Sequence, residues 1–180
     1  MRGNSALRKL TFSFKALSSL PLFSWLWSSG NFGKHKFFFW LCLKDYSNTR
    51  NLLRRKNKVL EDYSCAIGNS GTEETCMHLF FECPFIIACW NYLDIHWNLN
   101  IPPMDMVIEA RLDIGRSYFR EIIIAICWII WTSGNRLIFY NIPCTVNKWK
   151  EHFKNEISMV CIKAKPNLEG ALNLWLANLP

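Results

Sequence analysis

The sequence predicts a mostly α fold: a small helical bundle with one Cys- and His-bearing turn embedded in it. Three observations lead there. About half of the 180 residues are apolar, with nine Trp and thirteen Phe, so the chain has ample surface to bury against the entropy of ordering. Apolar residues recur at three- and four-residue intervals between proline and glycine breaks. No strand can be placed on the pattern, and no internal repeat is visible.

The elements follow in order. Residues 34–45, KHKFFFWLCLKD, set a dense aromatic block between basic ends and suit a core helix whose ends reach water. Asn48 or Thr49 is placed to cap a short basic helix, TRNLLRRK, with Leu52 and Leu53 inward and Arg50, Arg54 and Arg55 outward. A polar loop and a Cys-rich segment come next. Pro84 suits the first turn of a helix running to Leu93, and it pushes Cys83 out of helical geometry. Pro102 and Pro103 mark the next break. Helices are then expected near Met104–Leu112, from about Ser117 to Phe139, and from Val146 to Lys163.

Charge divides the chain. Residues 1–58 carry twelve Lys or Arg against one acid, Asp45, a net +11; residues 59–180 carry nine against thirteen, a net −4. A basic front half implies a surface that faces a polyanion, most simply the backbone of RNA or DNA. The candidate contacts are Lys34, Lys36, Lys44, Arg50, Arg54, Arg55, Lys56 and Lys58. Phe37, Phe38, Phe39 and Trp40 lie among them and could stack on single-stranded bases, but so apolar a block is expected in the core.

The eight Cys are scattered through a large apolar chain rather than packed into a small loop-rich one. This is the usage of reduced, intracellular proteins, nuclear or cytoplasmic. The longest uninterrupted apolar run, residues 122–131, falls short of the ~20 residues that a membrane-spanning helix needs. A buried helix is expected there and a membrane partner is not. His35, His96 and His152 have no partner in sequence from which a catalytic arrangement can be built, and nothing marks a small-molecule substrate site.

One constellation carries metal chemistry. In CAIGNSGTEETCMHLFFEC, residues 65–83, the spacing Cys65-x12-His78-x4-Cys83 supplies three ligands of a kind that zinc favours. On a continuous α-helix, positions five apart point about 140° from one another, so His78 and Cys83 share an ion only if the helix breaks, and Pro84 favours that break. A tetrahedral site takes four ligands. Where a C-x2-C pair would place its second thiolate, the chain has Gly68. Cys76 is a possible substitute, although two residues from His78 on a helix it would face the other way. Cys89 and water are further options.

At these residues the chain resembles a known family. WLWSSGNFGKHKFFFWLCLKDYSNTRNLLRRKNKVLEDYSC, with EETCMHLFFECPFIIACW after it, is similar to the zinc-binding domain near the C-terminus of reverse transcriptases from plant non-LTR (LINE-like) retrotransposons. That domain carries K-x-K-F-F-x-W-L, T-R-x-x-L-R-R, C-x2-C and E-x3-H-L-F-x-x-C. The likeness spans roughly residues 12–97, and IIWTSGNRLIFY resembles a looser tail motif. The resemblance implies zinc ligands at Cys65, His78 and Cys83, an incomplete site with Gly68 at the fourth position, and Gly134 where the tail motif has Arg, a glycine expected to cost the long helix about 1 kcal/mol relative to Ala; the two departures suggest a degenerate copy. It divides the chain into a lead-in over 1–23, a zinc-binding domain over 24–97 and a helical extension over 98–180. No acidic cluster able to hold the two metal ions of a polymerase is evident. The expected function is therefore a non-catalytic, zinc-knuckle-like nucleic-acid-binding module, and the alternative is a degenerate helical remnant without metal, non-functional or serving protein contacts.

Overall fold

Eight α-helices and one π-helical turn make up the regular structure of residues 20–68 and 71–179, the part of the chain that the computed structural model describes. Residues 1–19, most of the lead-in segment, lie outside the described residues. The helices are α1 (Leu20–Trp27), α2 (Gly33–Leu43), α3 (Arg50–Arg55), α4 (Pro84–Tyr92), α5 (Pro103–Ile114), α6 (Phe119–Tyr140), α7 (Val146–Cys161) and α8 (Pro166–Ala177). The π-helical turn covers His78–Glu82 and leads into α4.

Local chemistry sets most boundaries. Thr49 Oγ1 accepts the Leu52 N–H at 3.3 Å and caps α3, while Thr145 does the same for Lys148 in α7. Pro84, Pro103 and Pro166 open α4, α5 and α8, where a missing N–H costs nothing. Gly115, at φ +59°, closes α5 in the left-handed conformation that suits glycine. Asn141, at φ +53°, closes α6 in the same way.

The 22-residue α6 is the hub. It packs against α2, α5, α7 and the π-helical turn, and it buries Ile122, Ile123, Ile124, Ile126, Ile129 and Ile130. By length and composition α6 is apolar enough to cross a membrane; in the fold those side chains fill a core shared by all the major helices. Phe38 of α2 lies against Phe80, Trp128 and Trp131 at 5.2–6.0 Å between ring centroids. Trp149 and Phe153 of α7 stack at 5.3 Å. Asn31, buried in the α1–α2 loop, donates through Nδ2 to the Glu121 carbonyl and fastens that loop to the start of α6.

Two expectations need correction. Phe38 and Phe39 are buried, but Phe37 is 52% exposed and lies on the outer face of α2. The aromatic block is thus split by the helical period rather than swallowed whole. Gly134 is no helix weakness in open solvent. It is buried, and a methyl group added there would come within 3.2 Å of Ile67 Cδ1. The glycine gives the Cys-bearing loop its close seat on α6.

Candidate metal centre

The site is assembled by two local devices. The first is a hairpin: the Cys65 N–H donates to the Thr72 carbonyl at 2.8 Å, and the Glu74 N–H donates to the Tyr63 carbonyl at 2.9 Å. Ser64 and Glu73 pair across it as an antiparallel bridge. This folds Cys65 back over the segment that carries the histidine. The second is the π-helical turn, closed by the Cys83 N–H donating to the His78 carbonyl at 2.7 Å. An i to i+5 bond widens the turn by one residue, so positions that an α-helix would separate come onto one side. Cys83 then leaves helical geometry, at ψ +129°, ahead of Pro84. The expected break is therefore a widened turn followed by an extended residue.

The ligand atoms of Cys65, His78 and Cys83 all lie within 4.8 Å of one another, and all three residues are buried. The two sulfurs are 3.9 Å apart. That is far beyond a disulfide bond of about 2.05 Å, but it matches the edge of about 3.8 Å of a tetrahedron built on 2.3 Å Zn–S bonds. His78 Nε2 is buried with no hydrogen-bond partner, a costly condition for an imidazole nitrogen unless something else engages it. The residues present fit a zinc ion.

The electrostatics agree. The Cys65 thiol donates to the Cys83 sulfur, which lowers the Cys83 thiol to about 7, with further help from the N–H groups of Ile86 and Phe85 at the start of α4. The same interaction, together with burial, raises the Cys65 thiol, opposed by the N–H groups of Gly68 and Ile67. The Cys65 contact thus favours the thiolate form of Cys83. The Gly68 N–H facing the Cys65 sulfur also sets the backbone of residue 68 directly beside the cluster.

Cys76 does not join the group. Its thiol donates to the Cys42 carbonyl at 3.3 Å and its sulfur accepts from the Ser47 hydroxyl at 3.5 Å, which turns it toward the end of α2. Cys89 is buried on α4 and is likewise outside the cluster.

Sequence reasoning passed over Glu74. Its carboxylate is buried; Oε1 accepts the Arg50 N–H at 3.2 Å, and the carboxylate also takes the Ala66 N–H. The Asn51 N–H donates to its carbonyl at 3.1 Å. Arg50 Nη1 in turn donates to the Ser64 carbonyl at 2.8 Å. Glu74 therefore clasps the first turn of α3 to the Cys65 loop. Burial raises its carboxyl, and the Arg50 contacts oppose that. The signal available was the Glu of EETCMH, four residues before His78.

Residues 9–90 match the family described as zinc-binding in reverse transcriptase. The matched segment contains the three clustered residues, Glu74 and all of α1, α2 and α3. No curated protein and no solved structure matches the chain.

The cations expected to meet nucleic acid fall into two groups. Around α3, Arg50, Arg54 and Arg55 are each paired with a carboxylate: Asp62 at 3.3 Å, Glu73 at 2.6 Å and Asp45 at 2.6 Å. Lys56 donates to Asn48 Oδ1 and Lys58 is exposed beyond the helix end. Around α2, Lys34 lies over the Trp128 ring, and Lys36 donates to the carbonyls of Trp27 and Ser29. Among the described residues, no carboxylate pairs with Lys34, Lys36, Lys56 or Lys58.

Proposed function

We propose that the chain is a non-catalytic module derived from a reverse transcriptase of the plant LINE-like kind, stiffened by zinc and holding RNA or DNA through cationic side chains. The observation that carries this reading is the convergence of Cys65, His78 and Cys83 with a buried, unpartnered His78 Nε2 inside the matched segment. Zinc there would be structural: it would tie the Cys65 hairpin, the π-helical turn and the start of α4 into one unit, and a bound metal is folding free energy. Phosphate contact would come first from cations without carboxylate partners, Lys34, Lys36, Lys56 and Lys58. Arg50, Arg54 and Arg55 would contribute only after giving up an existing ion pair.

Two measurements on the full chain test this. Metal analysis of protein purified under reducing conditions should give one zinc per chain, and affinity for an oligonucleotide should fall steeply with salt as counterions are released. Reversing Arg54, Arg55 and Lys56 to Glu should reduce that salt dependence. A second reading, a helical remnant without metal, draws support from Gly68, which removes one thiolate from a site that normally has four ligands. Absence of zinc together with salt-insensitive or undetectable nucleic-acid binding would favour the remnant.

A further inference from the structure

We infer that the outward face of α1 and α2 is a stacking platform for single-stranded nucleic acid; this rests on the nucleic-acid reading and names the form of the partner. Helix α2 buries His35, Phe38, Phe39 and Cys42. Its opposite side presents Phe37, 52% exposed, against Trp40, with ring centroids 6.3 Å apart and planes 21° from parallel. On α1, Phe23 and Trp27 are also exposed and in contact at 5.7 Å. Lys36, next to Phe37 in sequence, reaches α1: its ammonium stands 5.9 Å over the Trp27 ring while donating to the Trp27 and Ser29 carbonyls.

Three exposed rings, Phe23, Trp27 and Phe37, with Trp40 partly buried, would be a liability if they served nothing. Their setting identifies what covers them. Neither α1 nor α2 contains an acidic residue. Lys36 lies over the Trp27 ring, and Lys44 lies exposed at the end of α2, one turn beyond Trp40. The nearest acid in sequence, Asp45, is already paired with Arg55. Aromatic faces alternating with unpaired cations recognise a strand whose bases are free to stack and whose phosphates run beside them. A duplex hides its base faces and offers no ring to stack on, only base edges in its grooves and its sugar-phosphate backbone.

The test is fluorescence anisotropy with a labelled oligo(dT) and a matched duplex, using the full chain, with thermal melts as a check on folding. The parent should bind the single strand more tightly than the duplex. Phe37→Ala and Trp40→Ala should each weaken single-strand binding about tenfold, the scale of one lost stacking contact, and leave duplex binding within about twofold of the parent. Phe37→Tyr, which keeps a ring, should bind like the parent. Because Phe37 is half exposed, its variants are the ones that keep the test valid should Trp40→Ala melt early. Single-strand affinity unchanged in Phe37→Ala overturns the platform while leaving phosphate binding intact. No binding to either form overturns the nucleic-acid reading as a whole, and the platform with it. Binding to anionic vesicles without binding to oligo(dT), or a dimer that Phe37→Ala dissolves, assigns the face to lipid or to a second copy and overturns the inference.

Discussion

Replacing Gly68 with Cys should supply a fourth ligand to the Cys65–His78–Cys83 cluster. The backbone N–H of Gly68 faces the Cys65 sulfur, so a thiol on residue 68 starts from beside the cluster. The other three ligand atoms are already gathered within 4.8 Å, so little rearrangement is needed to close a tetrahedron. If the added thiolate tightens zinc binding a hundredfold, saturating metal stabilises the fold by a further ~2.7 kcal/mol. For a chain of this length, ~2–4 °C per kcal/mol converts this to a rise of about 5–11 °C in Tm. The assay is a thermal melt of parent and Gly68→Cys with zinc and with chelator, in a reducing buffer so that no disulfide forms with Cys65. Affinity is read in parallel by competition with a chromogenic chelator. The expected pattern is a gain that appears with zinc and vanishes without it. Equal melting temperatures in saturating zinc would refute the idea that residue 68 faces the site, and a gain that persists in chelator would show that it comes from packing rather than metal.

Other outcomes follow from the same structure. Glu74→Ala should leave the N–H groups of Arg50 and Ala66 without their charged acceptor, lowering stability by about 2–5 kcal/mol in chemical denaturation; Glu74→Gln, which keeps an acceptor oxygen, should cost much less. Ile126→Ala, in the fully buried middle of α6, should destabilise the whole chain by about 2–5 kcal/mol, visible as one cooperative shift in the melt rather than a local loss. His35 is buried between Phe32 and Trp128, its pKa lowered to about 4 by burial and by the charges of Lys34 and Lys163, with Glu156 4.0 Å away. Between about pH 6.5 and pH 4 the unfolded chain then binds more protons at this site than the folded one, so stability should fall as pH falls through that window. Melts in chelator, which remove any contribution from metal release, should show a flatter profile for His35→Gln than for the parent.

Much of this architecture was legible because punctuation and period agreed. Pro84, Pro103 and Thr49 sit at helix starts for reasons internal to each residue, and the Ile-rich run of α6 read as a buried helix. The clustering of Cys65, His78 and Cys83 was readable as spacing, but the device that achieves it was not. A π-helical turn has no local sequence signature; it is selected because the folded chain gains by placing His78 and Cys83 together. Cys76 was weighed as a ligand by its closeness in sequence, yet the helical turn it occupies sends it to Ser47 and Cys42. Helix α8 escaped notice although Pro166 stands at its start, because Gly170 and a short, loosely periodic LNLWLA weaken the pattern. The sequence could not show Ile67 lying against Gly134.

The position of α6 has a practical corollary for anyone dissecting this chain. The matched segment ends at residue 90, whereas the helix on which Phe38, Leu79 and Phe80 rest begins at Phe119. A fragment trimmed to the match would carry Cys65, His78, Cys83 and every basic residue of α3, yet it would strip the lid from its own aromatic interior. Such a truncate should come out of cells in inclusion bodies, and its failure to bind anything would say nothing about the intact molecule.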